Sequence, residues 1–499
     1  MDTDVFVDDR DEVYFSADED VVPASVLASP TSTPILDLPT ELLQHILGLV
    51  YADDTDIDGM RMYLTKRLAM FKKNLLPVCR AFHDAGLHAL YSHVHVGHPR
   101  AFDVFRYELS RRPQLGSMVK CLDFSDFTSV GLGRTRRMNR EIQMVTSDTI
   151  ADALHKTPNL REFLVSESVE DDIDKTVLDK LFSLPDLEAV DFCGATGAAF
   201  KSAFVATTFP SGTLSNLTRV SLHECAGVQQ EVFERFMPKL TNLKRLDVTH
   251  TQVSAAALNS IPSSARLTHL SLAKCRNVQG KDVVQFLLTH PAVRSVDLRW
   301  LSLRSTNITE SQLRTLLPGL PSGLLHLNLY FLPVEPSHLP LIPLQLQALS
   351  LGFADLSIDA LIENFSAPLR PDLRYLDLTG NPHITIWTIQ DLRLLGSCSD
   401  VRTWEFDAQI LGKMADVRVP GYNVVLGQGR RGWIFKKGDM PPVRRGRRLS
   451  NGYNQHVLGM DMGQSDAWAG ASRKIDCSGK QWGGGLERGI YLYYAYRTK

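Results

Sequence analysis

One hexad recurs through the middle of this chain, apolar at its first, fourth and sixth positions, and it restricts the fold more than any other feature. It reads VKCLDF from Val119, LREFLV from Leu160, LEAVDF from Leu187, LTRVSL from Leu217, LKRLDV from Leu243 and LTHLSL from Leu267. It continues as VRSVDL from Val293, LLHLNL from Leu324, LQALSL from Leu346, LRYLDL from Leu373 and VRTWEF from Val401. After one long first gap the units follow every 22 to 31 residues, a regularity that a leucine-rich composition does not produce by chance. Alternation over six residues is a short strand with one buried face, and stretches such as EVFERFMPKL and KDVVQFLLTH between hexads are helical returns. A single strand-helix unit cannot bury its apolar side alone, so the units must stack. The fold class expected is α/β, a horseshoe solenoid of about eleven strand-helix repeats spanning roughly residues 115–410.

Two units place a cysteine three residues past the last strand apolar, Cys225 in SLHECAGV and Cys275 in SLAKCRNV. They resemble the cysteine-containing class of leucine-rich repeat. The third, fifth and seventh positions of each strand face away from the helices. At the fifth position the residues are Asp123, Leu164, Asp191, Ser221, Asp247, Ser271, Asp297, Asn328, Ser350, Asp377 and Glu405. Acids mostly alternate with neutral residues there, which keeps like charges apart on neighbouring strands and equally fits a recognition face. Just past the strands, three successive repeats present Arg299-Trp300, Tyr330-Phe331 and Phe353. Aromatics beside an arginine are typical of an interface centre, so these five are the candidate substrate-binding residues, with the alternative that one or two turn inward to the core.

The segment ILDLPTELLQHILGLV, Ile35 to Val50, contains no such hexad. Leu42, Leu43, Ile46, Leu47 and Val50 recur at helical spacing, with Pro39 and Glu41 in the first turn. The stripe is wider than one neighbouring helix can cover. A second helical stretch, LLPVCRAFHDAGLHALYSHVHV, follows about 25 residues later. Together LPTELLQHIL and LLPVCRAFHDAGLHALY resemble the F-box: Leu38, Pro39, Glu41, Leu42, Leu43 and Ile46 match its first helix, Val78, Cys79, Arg80 and Phe82 its second, and ALYSHV the segment closing the module in fungal members. The intervening YADDTDIDGMRMYLTKRLAMFKK is longer than the family's usual spacer. The resemblance implies a non-catalytic substrate receptor of an SCF-type cullin–RING ubiquitin ligase. Its adaptor-binding residues would be Leu38, Pro39, Leu42, Leu43, Ile46, Val78, Cys79 and Phe82, and its repeats would hold a protein target. The alternatives are that Leu42 and Ile46 only cap the first repeat, and that the chain is a ligase-independent interaction scaffold.

The domain layout expected is an acidic tail over 1–34, an F-box module over 35–100, the solenoid over 101–411 and a basic, Gly- and aromatic-rich region over 412–499 that is partly β or disordered. The tail holds nine acids against Arg10, a composition that favours disorder, and its Ser-Pro and Thr-Pro pairs at Ser29 and Thr33 fit either phosphorylation sites or a plain linker. Residues 412–499 carry sixteen Lys and Arg against six acids, although the whole chain has a formal charge of only -2. The cluster Arg444, Arg445, Arg447 and Arg448 suits a nuclear-localisation or nucleic-acid contact no better than a solvated loop. Seven scattered cysteines without a CxxC pair indicate reduced thiols in the cytoplasm or nucleus, and no apolar run approaches the ~18 residues of a membrane span.

Gly427, Gly429 and Gly432 spell a dinucleotide fingerprint, but Gly438, Pro441 and Pro442 follow where a phosphate-binding helix would have to run. His93, His95 and His98 are spaced suggestively, and without a thiol or acid near them in sequence they do not read as metal ligands. No catalytic motif, cofactor site or metal site is expected.

Overall fold

Strand and return alternate as the hexads require. The computed structural model describes residues 35–51, 71–97, 99–124, 145–165, 167–209, 213–413, 419–426 and 431–436. The acidic tail, His98, the arginine cluster and the extreme C-terminus lie outside them, as do most of the long spacer and Gly427 and Gly429 of the fingerprint.

The strands are β1 (His93–His95), β2 (Cys121–Phe124), β3 (Glu162–Val165), β4 (Ala189–Asp191), β5 (Arg219–Ser221) and β6 (Arg245–Asp247). They continue with β7 (His269–Ser271), β8 (Trp300–Ser302), β9 (His326–Asn328), β10 (Ala348–Ser350), β11 (Tyr375–Asp377) and β12 (Thr403–Asp407). Among the described residues these pair in strict chain order, all parallel. The sheet then closes with an antiparallel hairpin, β13 (Tyr422–Leu426) and β14 (Arg431–Lys436), in which β14 lies against β12. Gly432 of the fingerprint is therefore in a strand, not at the start of a phosphate-binding helix.

In the hexads that form strands, apolar side chains at positions one, four and six point to the helical side. They form one continuous core from Tyr91 to Ile434. Phe182, Phe192, Phe200, Phe204, Phe209 and Phe236 form an aromatic cluster in and against it, with edge and tilted ring contacts such as Phe209–Phe236 at 4.8 Å. This is a leucine-rich-repeat solenoid.

The structure changes two details of the repeat pattern. The sheet begins earlier than the first hexad, because YSHVHV places Tyr91, Val94 and Val96 at positions one, four and six, with His93 opposite Cys121 and His95 opposite Asp123. And VRSVDL is not a repeat strand. Val293 belongs to the short helix Pro291–Arg294, started by Pro291 and by a His290 ring nitrogen that accepts from the Ala292 N–H. The strand is LRWLSL, from Leu298, so Ser302 and not Asp297 occupies the fifth position, opposite Ser271 and Asn328.

The cysteine-type repeats work as buried donors. Cys225 Sγ donates to the Phe192 carbonyl and Cys275 Sγ to that of Val248, both at 3.0 Å and both into the preceding repeat. Burial pushes the Cys225 thiol well up and that of Cys275 up to about 12, so both stay protonated.

Candidate interaction surfaces

At the N-terminus, α1 (Thr40–Tyr51) packs against α2 (Arg80–Ser92). The Pro39 carbonyl opens α1 by accepting from the N–H groups of Leu42 and Leu43 at 3.0 and 3.1 Å. Residues four apart share a helix face. Leu43 and Leu47 therefore point together into a small core with Ala85 and Ala89, covered by Leu75, Leu76 and Phe82. Leu42 and Ile46 lie on the next face round. Leu42 is 50% exposed and Val78, just ahead of α2, is 59% exposed, while Ile35 and Leu36 are also exposed. Leu38, Ile46, Cys79 and Phe82 are half-buried and Pro39 is exposed. The eight candidate adaptor residues thus divide: Leu43 and Phe82 join the two helices, and Leu42, Val78 and Pro39 meet solvent.

The second surface comes from the turn that ends each strand. At position six the N–H donates to the fifth-position carbonyl of the next repeat, as Leu222 does to Asp247 at 2.8 Å and Leu329 to Ser350 at 3.0 Å. Two residues later a second rung forms: Gly194 to His223, Glu224 to Thr249, His250 to Ala273, Lys274 to Arg304, Ser305 to Tyr330, Phe331 to Gly352 and Phe353 to Thr379, at 2.7–2.9 Å. Making that rung requires positive φ at position eight, and every one of these residues has it, from 54° at His250 to 80° at Gly194. Glycine takes such a conformation freely, whereas other residues lose about 1–3 kcal/mol.

Four fifth-position polar residues belong to the same turn. Asp191, Asp247, Asn328 and Asp377 each accept through Oδ1 from the N–H two residues on, at 2.9–3.0 Å. Asp191 and Asp377 are fully buried, so this column serves the backbone rather than a ligand. Burial raises the Asp191 carboxyl well above the usual range; the nearby Ser221 hydroxyl and the hydrogen bond from the Cys193 N–H oppose the rise, while the Asp247 and Asp123 charges add to it. Asp247 is only partly buried and falls below the usual range: burial raises it, and the His223 partner at 2.9 Å with hydrogen bonds from Thr249 outweighs that rise.

The position-eight column carries exposed chemistry. Glu224 accepts from His250 and, at 3.3 Å, from Lys274. Further along, Phe331 and Phe353 stack face to face with centroids 4.0 Å apart, 50% and 45% exposed. Tyr330, buried beneath, meets both edge-on at 4.9 and 5.3 Å, and the Arg304 guanidinium covers its ring at 4.6 Å. Two glycines make room for the rings: a Cβ on Gly352 would lie 2.2 Å from the Tyr330 ring, and one on Gly380 would lie 2.7 Å from that of Phe353.

Of the five substrate candidates, the structure brings together Tyr330, Phe331 and Phe353 and separates Arg299 and Trp300. The separation follows from the corrected strand. Trp300 is at position three, opposite His269 and His326, only 9% exposed, and about 13 Å along the strand direction from the level of Tyr330. Arg299 donates to the Gly323 carbonyl at 3.0 Å. Of the histidines on this face, His326 is pushed down to about 3 by burial, and His269 is held well below the usual range by burial together with Arg245 and His326. Both are neutral near pH 7.

His93 and His95 have an acid and a thiol beside them after all, supplied by the next strand: Asp123 lies 3.4 Å from His93 and 3.6 Å from His95, and Cys121 Sγ lies 3.8 Å from His93. Among the described residues no group of three or more His, Cys, Asp and Glu is placed to hold a metal ion. No described helix is long and apolar enough to cross a membrane.

No family model matches the chain. It is 28% identical over 427 residues, covering 72% of this chain, to the F-box protein YLR352W of Saccharomyces cerevisiae, and it spans about half (52%) of that relative's length. Solved structures give weaker likenesses. An internalin (inlF) from Listeria monocytogenes is 19% identical, with a TM-score of 0.32 over 50% of this chain and 68% of the other. The yeast Rad7 and Elc1 complex gives 13% identity and a TM-score of 0.34 over 65% and 93%.

Proposed function

We propose that this leucine-rich-repeat protein, similar over most of its length to an F-box protein, is the substrate-recognition subunit of an SCF-type ubiquitin ligase. The chain supplies no chemistry of its own in this reading. Its helix pair docks the linker subunit of a cullin–RING ligase, and its repeats hold the protein to be modified. The observation that carries the reading is the pair's unequal burial. A small core under Leu43 and Leu47 leaves Leu42 and Val78 half exposed or more, a combination that suits a partner better than solvent. Leu38, Pro39, Leu42, Ile46, Val78 and Cys79 would form the docking face, with Leu43 and Phe82 fixing the angle between the helices.

A second reading has one observation in its favour. Helix α2 runs directly into β1, and its last turn adds Tyr91 to the solenoid core, so the pair also covers the first repeat. If covering were its whole task, the chain would be a ligase-independent scaffold. The test is a pull-down of purified linker subunit by the full chain, wild type against Leu42→Asp/Val78→Asp. Docking predicts submicromolar binding that the double variant loses with its melting temperature kept. Absence of binding by the wild type would leave the scaffold reading.

A further inference from the structure

Phe331 and Phe353 occupy, in adjacent repeats, a backbone conformation that suits glycine, and half of each ring stands in solvent. The core does not require them. Gly194 and Gly380 fill the same position elsewhere in the column, and Ser305 fills it one repeat earlier. Strain of this kind persists where the surrounding structure enforces it and tends to mark sites of function. Here it is supported from below by Tyr330, Arg304, Gly352 and Gly380. The rings are therefore held rigidly, with little side-chain freedom left to lose on binding.

We propose that the Phe331–Phe353 platform captures a short linear segment of an unphosphorylated protein through one or two aliphatic or aromatic anchor side chains. This rests on the receptor reading and names the class of target. The size of the platform argues for a short segment. Two half-exposed rings offer roughly 200 Å², against the ~800 Å² that each partner gives to a stable folded interface.

Charge argues for an uncharged anchor. A phosphate needs cations free to turn toward it, and those in the neighbouring turns are already engaged. Arg304 lies on the Tyr330 ring, Lys274 on Glu224 at 3.3 Å, and His383 on Asp355 at 3.0 Å. On the strand face Arg219 is bound to Glu162 at 2.7 Å. An incoming phosphate would have to break such pairs, whereas an apolar side chain displaces only water from the rings.

The experiment is selection of a random 12-residue peptide library on the full chain, wild type against Phe331→Gly/Phe353→Gly. Glycine adopts the required φ without strain, so the double variant keeps the turn, and Phe353→Asn provides a second strain-tolerant control. The expected result is enrichment of sequences with apolar anchors and few acids. The best peptide should bind the double variant at least ~10-fold more weakly, with thermal melting near that of wild type. Equal binding to the double variant, a preference for acidic peptides, tighter binding of phosphoserine versions or no enrichment would each overturn the proposal. Failure of the receptor reading looks different: the linker subunit would not be retained, whatever the library shows.

Discussion

The N-terminal helix pair and the repeat array use similar apolar residues and bury them differently. In the pair, four buried residues form a separate small core while Leu42 and Val78 face solvent. In the array each hexad adds its apolar residues to one core that runs unbroken from Tyr91 to Ile434. A stacked repeat always has a neighbour to cover its apolar side, and a pair of short helices does not. Exposed apolar surface is therefore a stronger sign of a partner in the pair than anywhere in the array, except on the position-eight ridge, where the sheet holds two phenylalanines out of the core.

The largest effect expected from breaking this contrast is on docking. Leu42→Asp/Val78→Asp should weaken linker-subunit binding by at least ~100-fold while leaving the melting temperature nearly unchanged, since neither side chain is buried. Leu43→Ala, one residue away, should do the reverse of a clean docking variant. It removes a core side chain at a cost of roughly 2–5 kcal/mol, so binding is lost together with the ellipticity and protease resistance of the pair. If Leu42→Asp/Val78→Asp unfolded the pair as Leu43→Ala does, the two faces would not be distinct and the contrast would fail.

Within the array the largest stability effect should come from a residue with no repeat signature. Arg370 is buried, and its guanidinium donates to the carbonyls of Asn364, Pro343, Leu339 and Ile342 at 2.8–3.1 Å while lying 5.0 Å from the Phe365 ring centroid. Burial lowers its pKa only to about 10, so it stays charged at neutral pH. Arg370→Met should lose about 3 kcal/mol in chemical denaturation, because carbonyls in two repeats would be left without their donor. A loss confined to a few tenths would mean that water replaces the side chain.

That arginine also shows what the sequence could and could not reveal. Eleven hexads were legible because one apolar period repeats, and ten of them mark real strands. The exception, Val293, sits 26 residues after Leu267 and 31 before Leu324, while the true start at Leu298 merely exchanges those two intervals, so spacing could not choose between them. The short helix begun by Pro291 decides it. Tyr91 concealed the first strand by standing where an aliphatic residue was required. Positive φ at position eight left no mark either, since Glu, His, Lys, Ser and Phe share a conformation usually signalled by glycine. The aromatic ridge was visible as residues; the backbone that raises it was not.

Position five allows a smaller and sharper test inside one column. Asp191→Asn should be neutral or stabilising by up to about 1 kcal/mol at pH 7, since Asn328 already closes the same turn in another repeat. The sign follows from its raised pKa. Stability from Asp191 is fully present below the ordinary carboxylate value and lost as pH rises through the higher folded value, so the substitution removes that loss. Asp247→Asn should instead cost about 1–2 kcal/mol at pH 7. Its lowered pKa gives stability that is present above the ordinary carboxylate value and lost as pH falls through the folded one. Opposite slopes in denaturation measured from pH 3 to 8 would confirm that burial dominates at one residue and the His223 partner at the other; parallel slopes would refute it.

The smallest effect concerns the cysteines. Cys275 donates into the preceding repeat, whereas Thr251 and Thr306, at the same position in the repeats on either side, donate to the Val248 and Leu303 carbonyls of their own turns at 2.7 and 2.8 Å. Cys275→Thr exchanges one buried donor for another that the turn already accepts, so it should cost less than about 1 kcal/mol. Cys275→Val removes the donor and keeps the bulk, which should cost more, about 1 kcal/mol, because the Val248 carbonyl then keeps only the Thr251 hydroxyl. If the two variants melted alike, the thiol would be a space-filler and its hydrogen bond would contribute nothing. If Cys275→Thr melted lower than Cys275→Val, the inter-repeat direction of the bond would matter more than the donor itself, and coupling between repeats would rest on these turns as well as on the apolar core.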